Sequence, residues 1–124
     1  MAKSISDPVL DAALAKIATC TRLVVCSGEP ANFAGIAAVA LADVVMTAGT
    51  GNGDYTIGNG DTNGRKVRVE QQAAIPIDAS GTATHISLDD GTTLQTVTTC
   101  TSQALTSGGT VTVPAHDYEF ADPT

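Results

Sequence analysis

The sequence predicts a mainly β protein, a small sandwich or barrel-like domain with one N-terminal α-helix. Three observations lead there. Apolar residues recur at helical spacing within residues 1–19. From residue 20 onward they fall in short runs, several of them alternating with polar residues as half-buried strands require. Breaks rich in Gly, Asn and Asp separate those runs at intervals that suit a compact all-β fold. A chain of 124 residues is the length of one domain, here a helical segment over residues 1–19 and a β domain over 20–124. Aromatics make up only 3% and Trp is absent, so the core must come from Ala, Val, Leu and Ile.

The helix is expected over residues 7–18. Ser6 suits its N-cap, Asp7 the positive end of its dipole, and Pro8 its first turn. Val9, Leu10, Ala13, Leu14 and Ile17 form the apolar stripe, with Asp11 and Lys16 off it. A stripe of this size is seldom left bare, so docking on the chain's own sheet is favoured over lying on a partner.

Residues 21–26 then read as a strand with Leu23 and Val25 on one face, and residues 27–30 as a turn. The Ala-rich stretch 31–40 suits a short helix or irregular packing, and residues 41–47 are strand-like. Tyr55 and Ile57 form a brief strand between two Gly-rich turns. Residues 65–70 alternate, with Val67 and Val69 inward and Lys66, Arg68 and Glu70 outward. Pro76 marks residues 75–77 as an edge or bulged segment. Residues 84–88 place Ile86 and Leu88 on one face, with His85 and Ser87 on the other. Asp89-Asp90-Gly91 turns that strand into a Thr-rich one over 92–100. Residues 110–113 form another strand, and in the last one Tyr118 and Phe120 share a face opposite Asp117 and Glu119.

Charge narrows the partners. Thirteen acidic residues against six basic ones give a net charge of −7, which repels phosphate backbones and anionic lipid headgroups. Neither nucleic acid nor membrane is an expected partner. The most apolar stretch, 31–48, carries Asn32 and Asp43, and a spanning helix needs roughly 20 predominantly apolar residues. Residues 1–4 show no apolar leader pattern, and the three cysteines make an odd count. Cys20, Cys26 and Cys100 are therefore expected to stay reduced in a cytoplasm-made protein. On one continuous strand Cys20 and Cys26 would lie about 20 Å apart, too far for a disulfide.

Motifs for chemistry are weak. Gly51-Asn52-Gly53-Asp54 and Gly58-Asn59-Gly60-Asp61 offer oxygens for calcium, but their spacing fits neither an EF-hand nor a calcium β-helix, and Asn-Gly turns explain them. The stretch lacks the Gly-Lys-Ser/Thr ending of a phosphate loop. His85 with Asp89 or Asp90 suggests a triad fragment, yet no Gly-x-Ser-x-Gly elbow accompanies it. Asp117 and Glu119 form a carboxylate pair of the kind any strand face can show. The expectation is a protein that is not an enzyme, with no cofactor and no metal. Arg65, Lys66 and Arg68 gather half of the basic residues, either to meet an acidic partner or to pair with neighbouring carboxylates. Val9, Leu10 and Leu14 on the stripe, with Arg65, Lys66 and Arg68, are the expected partner contacts.

Several stretches also resemble a family of small virion proteins from tailed bacteriophages. The opening helix with residues 21–26, Cys26-Ser27-Gly28-Glu29-Pro30 and Phe33-Ala34 is similar to that family's N-terminal half. Gly64-Arg65-Lys66 before a Val-rich strand resembles its middle. Residues 82–88 closed by Asp89-Asp90-Gly91 resemble its central hairpin, and residues 106–113 with 117–123 its C-terminal strands. The resemblance covers nearly the whole chain and rests on structural motifs. It implies a capsid decoration, or cement, protein bound to the major capsid protein on the outside of the shell. A homo-oligomer, with a trimer as the expected form, goes with that role. The alternative is a tail or fibre-associated module that binds a host surface or other tail proteins. The resemblance transfers no catalytic, cofactor-binding or metal residue.

Overall fold

The computed structural model describes residues 5–121. In chain order the elements are α1 (Asp7–Ile17), β1 (Arg22–Cys26), α2 (Ile36–Val39), β2 (Ala40–Val45), β3 (Tyr55–Asn59), β4 (Arg65–Val69), β5 (Gln72–Pro76), β6 (Gly81–Asp89), β7 (Leu94–Leu105), β8 (Thr110–Val113) and β9 (His116–Phe120). The fold is mainly β, with three antiparallel sheets, a short N-terminal helix and no closed barrel among the described residues. The chain divides into two compact units. One comprises residues 5–19, 47–71 and 114–121, and the other residues 20–46 and 72–113.

The helix-bearing unit holds α1 and the sheet β3-β4-β9. Ser6 occupies the N-cap with extended backbone, but its side chain makes no capping bond. The reason is local: Pro8 has no N–H to offer, and the Val9 N–H already donates to the Ser6 carbonyl at 3.0 Å. Leu10, Leu14 and Ala18 form the buried stripe of α1, which packs on β4 and β3. Val9 and Ala13 point away from it, so the stripe is narrower than the sequence suggests. Tyr55, Val67 and Val69 are buried as the alternation predicts. Gly64 adopts φ +73°, and a Cβ there would collide with the Phe120 carbonyl, so the turn into β4 requires glycine.

The second unit holds the sheet β2-β1-β6-β7 and the ribbon β5-β8. β1 is central and buried on both faces through Leu23, Val24, Val25 and Cys26. The expected one-sided strand is two-sided because Phe33, Ile36, Val39 and Ala40 cover the Val24–Cys26 face. That cover also buries Ser87, read from the sequence as the polar face of β6; its hydroxyl meets the Cys26 thiol at 3.8 Å. Cys20 precedes β1, and all three cysteines are thiols. Burial raises the Cys26 pKa above its ordinary value and does the same for Cys100, which keeps both in the poorly nucleophilic thiol form. Residues 75–77 are expected to be edge or bulged; Ile75 and Pro76 pair in register with β8, and the irregularity lies just before them, between Gln72 and Ile75, where Ala74 takes a left-handed φ of 54°.

The β6–β7 turn is held by Asp90. Its carboxylate accepts the Thr93 and Thr92 N–H groups, the Thr92 hydroxyl and the Gln95 amide, which lower its pKa to about 2. That contribution to stability is present above the ordinary carboxylate range and is lost as pH falls through about 2.

Candidate interaction surface

The six residues expected to contact a partner separate into different environments. Leu14 is 0% exposed and Leu10 is 6%, so both belong to the core of the helix-bearing unit. Val9, at 59%, is the member of the stripe trio that a partner can reach.

The basic cluster is divided between the two faces of β4. Arg65 shares the parity of Val67 and Val69 and sits on the helix-facing side. Its Nε and Nη2 donate to the two oxygens of Asp11 at 2.7 and 3.2 Å, and its Nη1 donates to Asn59 Oδ1 at 2.7 Å. This bidentate pair ties α1 to the sheet, and the Asp11 hydrogen bond raises the Arg65 pKa. Lys66 and Arg68 lie on the opposite face. Lys66 donates to Asp61 at 2.7 Å and to Asp117 at 3.3 Å, which raise its pKa. Arg68 meets Glu70 at 3.3 Å and Asp117 at 3.9 Å. All three cations are thus engaged by carboxylates of their own unit.

The acidic and Gly-rich motifs serve the fold in the same way. Asp54 accepts the Thr47 N–H at 2.6 Å, and the Asn52 amide donates to the Ala48 carbonyl at 2.9 Å. Glu119 accepts the Asp61 N–H at 2.6 Å. Asp89 is bound to Arg22, Asp90 to its turn, and His85 Nδ1 lies 2.8 Å from Thr84 Oγ1. The structure does not assemble these groups into one centre, and no cluster of three metal-ligating side chains occurs among the described residues. No helix of the described residues is long and apolar enough to cross a membrane.

Sequence reasoning missed a shelf around Phe33 in the second unit. Phe33 separates two open grooves. One, of about 480 Å³, runs along residues 31–34 and 92–94; the other, of about 430 Å³, is lined by Thr21, Arg22, Val45, Asp89 and Gly91. The Arg22 guanidinium stands 5.8 Å from the centre of the Phe33 ring, within cation–π range. Asp89, with a side chain only 1% exposed, accepts Arg22 Nε at 2.9 Å and the Gly91 N–H at 3.0 Å. Val45 is 83% exposed beside them. Register supplies the signal that could have found this: Val45 and Asp89 both pair with Arg22 across β1. The shelf offers apolar contact next to a held cation, which suits docking a protein surface and supplies no acid–base or nucleophilic pair.

On β2 the Asp43 carboxyl neighbours that of Asp78. Burial raises the Asp43 pKa first, and the hydrogen bond and charge of Asp78 raise it further, with Arg22 opposing. An acid whose folded pKa is raised destabilises the fold when ionised, so this contribution improves as pH falls through the raised value. Asp43→Asn is therefore expected to raise the urea midpoint at pH 7 and to flatten the stability gain expected of the native protein as pH falls towards the ordinary carboxylate range of about 4. An unchanged midpoint would show that Asp43 and Asp78 do not repel.

Comparison of the chain with protein-family models, curated proteins and solved structures finds no match.

Proposed function

We propose that this chain is a structural virion protein of a tailed bacteriophage, a decoration or cement protein that binds the outside of the major capsid protein shell. The observation that carries this reading is the set of stretches resembling small phage virion proteins, spread over nearly the whole chain. The physical character of the surfaces supports it. The cations of β4 are used internally, and the Phe33 shelf presents contact area with one held guanidinium. A protein that binds only the assembled shell stabilises it by mass action, and many copies make modest affinity sufficient.

The rival reading, a tail or fibre-associated module, draws on the exposure of Phe120 and on the polar loops before β3 and β4. Copy number separates the two. Quantitative mass spectrometry of purified virions is expected to find this chain at a level comparable with the major capsid protein. A handful of copies per particle would favour the tail module, and its absence from virions would remove both readings.

A further inference from the structure

The Asn-Gly pairs before and after β3 are reactive as well as turn-forming. Where glycine follows asparagine, no side chain shields the glycine nitrogen, and that nitrogen can attack the asparagine amide carbon. Three such pairs occur: Asn52-Gly53, Asn59-Gly60 and Asn63-Gly64. The fold holds two of them and leaves one open.

Asn59 lies in β3 opposite Arg65, its Oδ1 accepts Arg65 Nη1 at 2.7 Å, and the Gly60 N–H donates to the Gly64 carbonyl at 3.0 Å. Gly64 is half-buried, and a Cβ there would meet the Phe120 carbonyl and the Ala121 Cα, so the backbone after Asn63 is wedged against the end of β9. Asn52 and Gly53 are both exposed. Gly53 adopts φ +113°, and nothing lies within 4 Å of where its Cβ would stand. Its N–H donates to no acceptor among the described residues. The Asn52 side chain makes one hydrogen bond there, from its amide to the Ala48 carbonyl at 2.9 Å.

We infer that Asn52 is the deamidation site of the folded chain. The Gly53 nitrogen attacks Asn52 Cγ: the N–Cγ bond forms, the nitrogen gives up its proton, the Cγ–Nδ2 bond breaks, and ammonia leaves. Water then opens the succinimide at either carbonyl, leaving aspartate or isoaspartate at position 52. Both products add a negative charge to a chain already at −7, and both lose the donor that the Ala48 carbonyl accepts. Modification thus unclips residues 48–52, whose Gly49 N–H donates to the Ala18 carbonyl at the C-cap of α1 at 2.8 Å.

The test is incubation of the full chain at mildly alkaline pH, with tandem mass spectrometry locating each amide-to-acid mass shift over time. In the folded chain, position 52 is expected to convert at least fivefold faster than 59 or 63, which react only through local opening. In urea the three pairs are expected to convert at similar rates, because the local sequence alone then sets them. Asn52→Gln is expected to remove the fast phase and leave the slow conversion of Asn59 and Asn63 unchanged. Equal rates at the three positions in the folded chain, conversion led by Asn59 or Asn63, or the same preference for position 52 in urea would overturn the inference. If Asn52→Gln fails to fold, the wild-type rates with and without urea decide alone.

Discussion

Leu14→Asp is expected to unfold the helix-bearing unit. Leu14 is 0% exposed on the face of α1 that packs against β4. The substitution removes an apolar side chain and places a carboxylate at a fully buried position, while Arg65 on the helix-facing side of β4 is already held by Asp11. Deleting such a leucine to alanine alone costs about 2–5 kcal/mol, and an unpaired buried charge adds further cost unless the group protonates. Whole domains have only about 5–15 kcal/mol of stability, so the unit should lose cooperative unfolding altogether. Val9→Asp is the control: five residues earlier in the same helix and exposed, it should shift stability by no more than about 0.5 kcal/mol. Circular dichroism and urea titration of the two variants check this. A stably folded Leu14→Asp protein would mean that α1 is a detachable arm rather than core.

Arg22→Ala is expected to be the costliest surface change in the second unit. It leaves the Asp89 carboxylate, 1% exposed, with the Gly91 N–H but without its cation. Removing one partner of a buried pair costs about 3–5 kcal/mol, and the partial exposure of Arg22 sets the expected loss at the lower end, about 3 kcal/mol. Replacing both partners, Arg22→Met with Asp89→Leu, should recover much of that loss, because no buried charge is then stranded. Denaturant midpoints of Arg22→Met, Asp89→Leu and the double variant measure the coupling directly. Additive losses would show that the pair is not coupled.

The elements legible in the sequence were those whose burial is one-sided. α1 followed from its proline, its acidic first turn and the Leu10–Leu14 spacing, and β4 from the alternation of Val67 and Val69. What escaped has a physical reason, starting with the cover of β1, a strand the sequence does predict over residues 21–26. β1 is covered on both faces, so Leu23–Cys26 reads as a plain apolar run that does not reveal what covers it. β7 continues from Cys100 to Leu105 through polar Thr, Ser and Gln, and it is a strand because β6 pairs with it rather than because of any pattern of its own. β5 begins at Gln72 in a bulge with no alternation to betray it.

The candidate surface was less legible than the fold. Adjacent numbering made Arg65, Lys66 and Arg68 look like one patch, although parity alone puts Arg65 on the Val67 face. Asp61 and Glu70 are the neighbouring carboxylates the sequence offers as partners, whereas Asp11 and Asp117 are distant in sequence and only the fold brings them to the cluster. The Phe33 shelf joins residues from the segment before α2, from β1 and from the β6–β7 turn, a juxtaposition that only strand register creates.

Cryo-microscopy of intact virions tests the proposal that this chain coats a phage head. Density fitting the mainly β fold is expected on the outer face of the capsid, repeated over the shell and in contact with the major capsid protein. Density for this chain confined to the tail, or found nowhere on the particle, would contradict it.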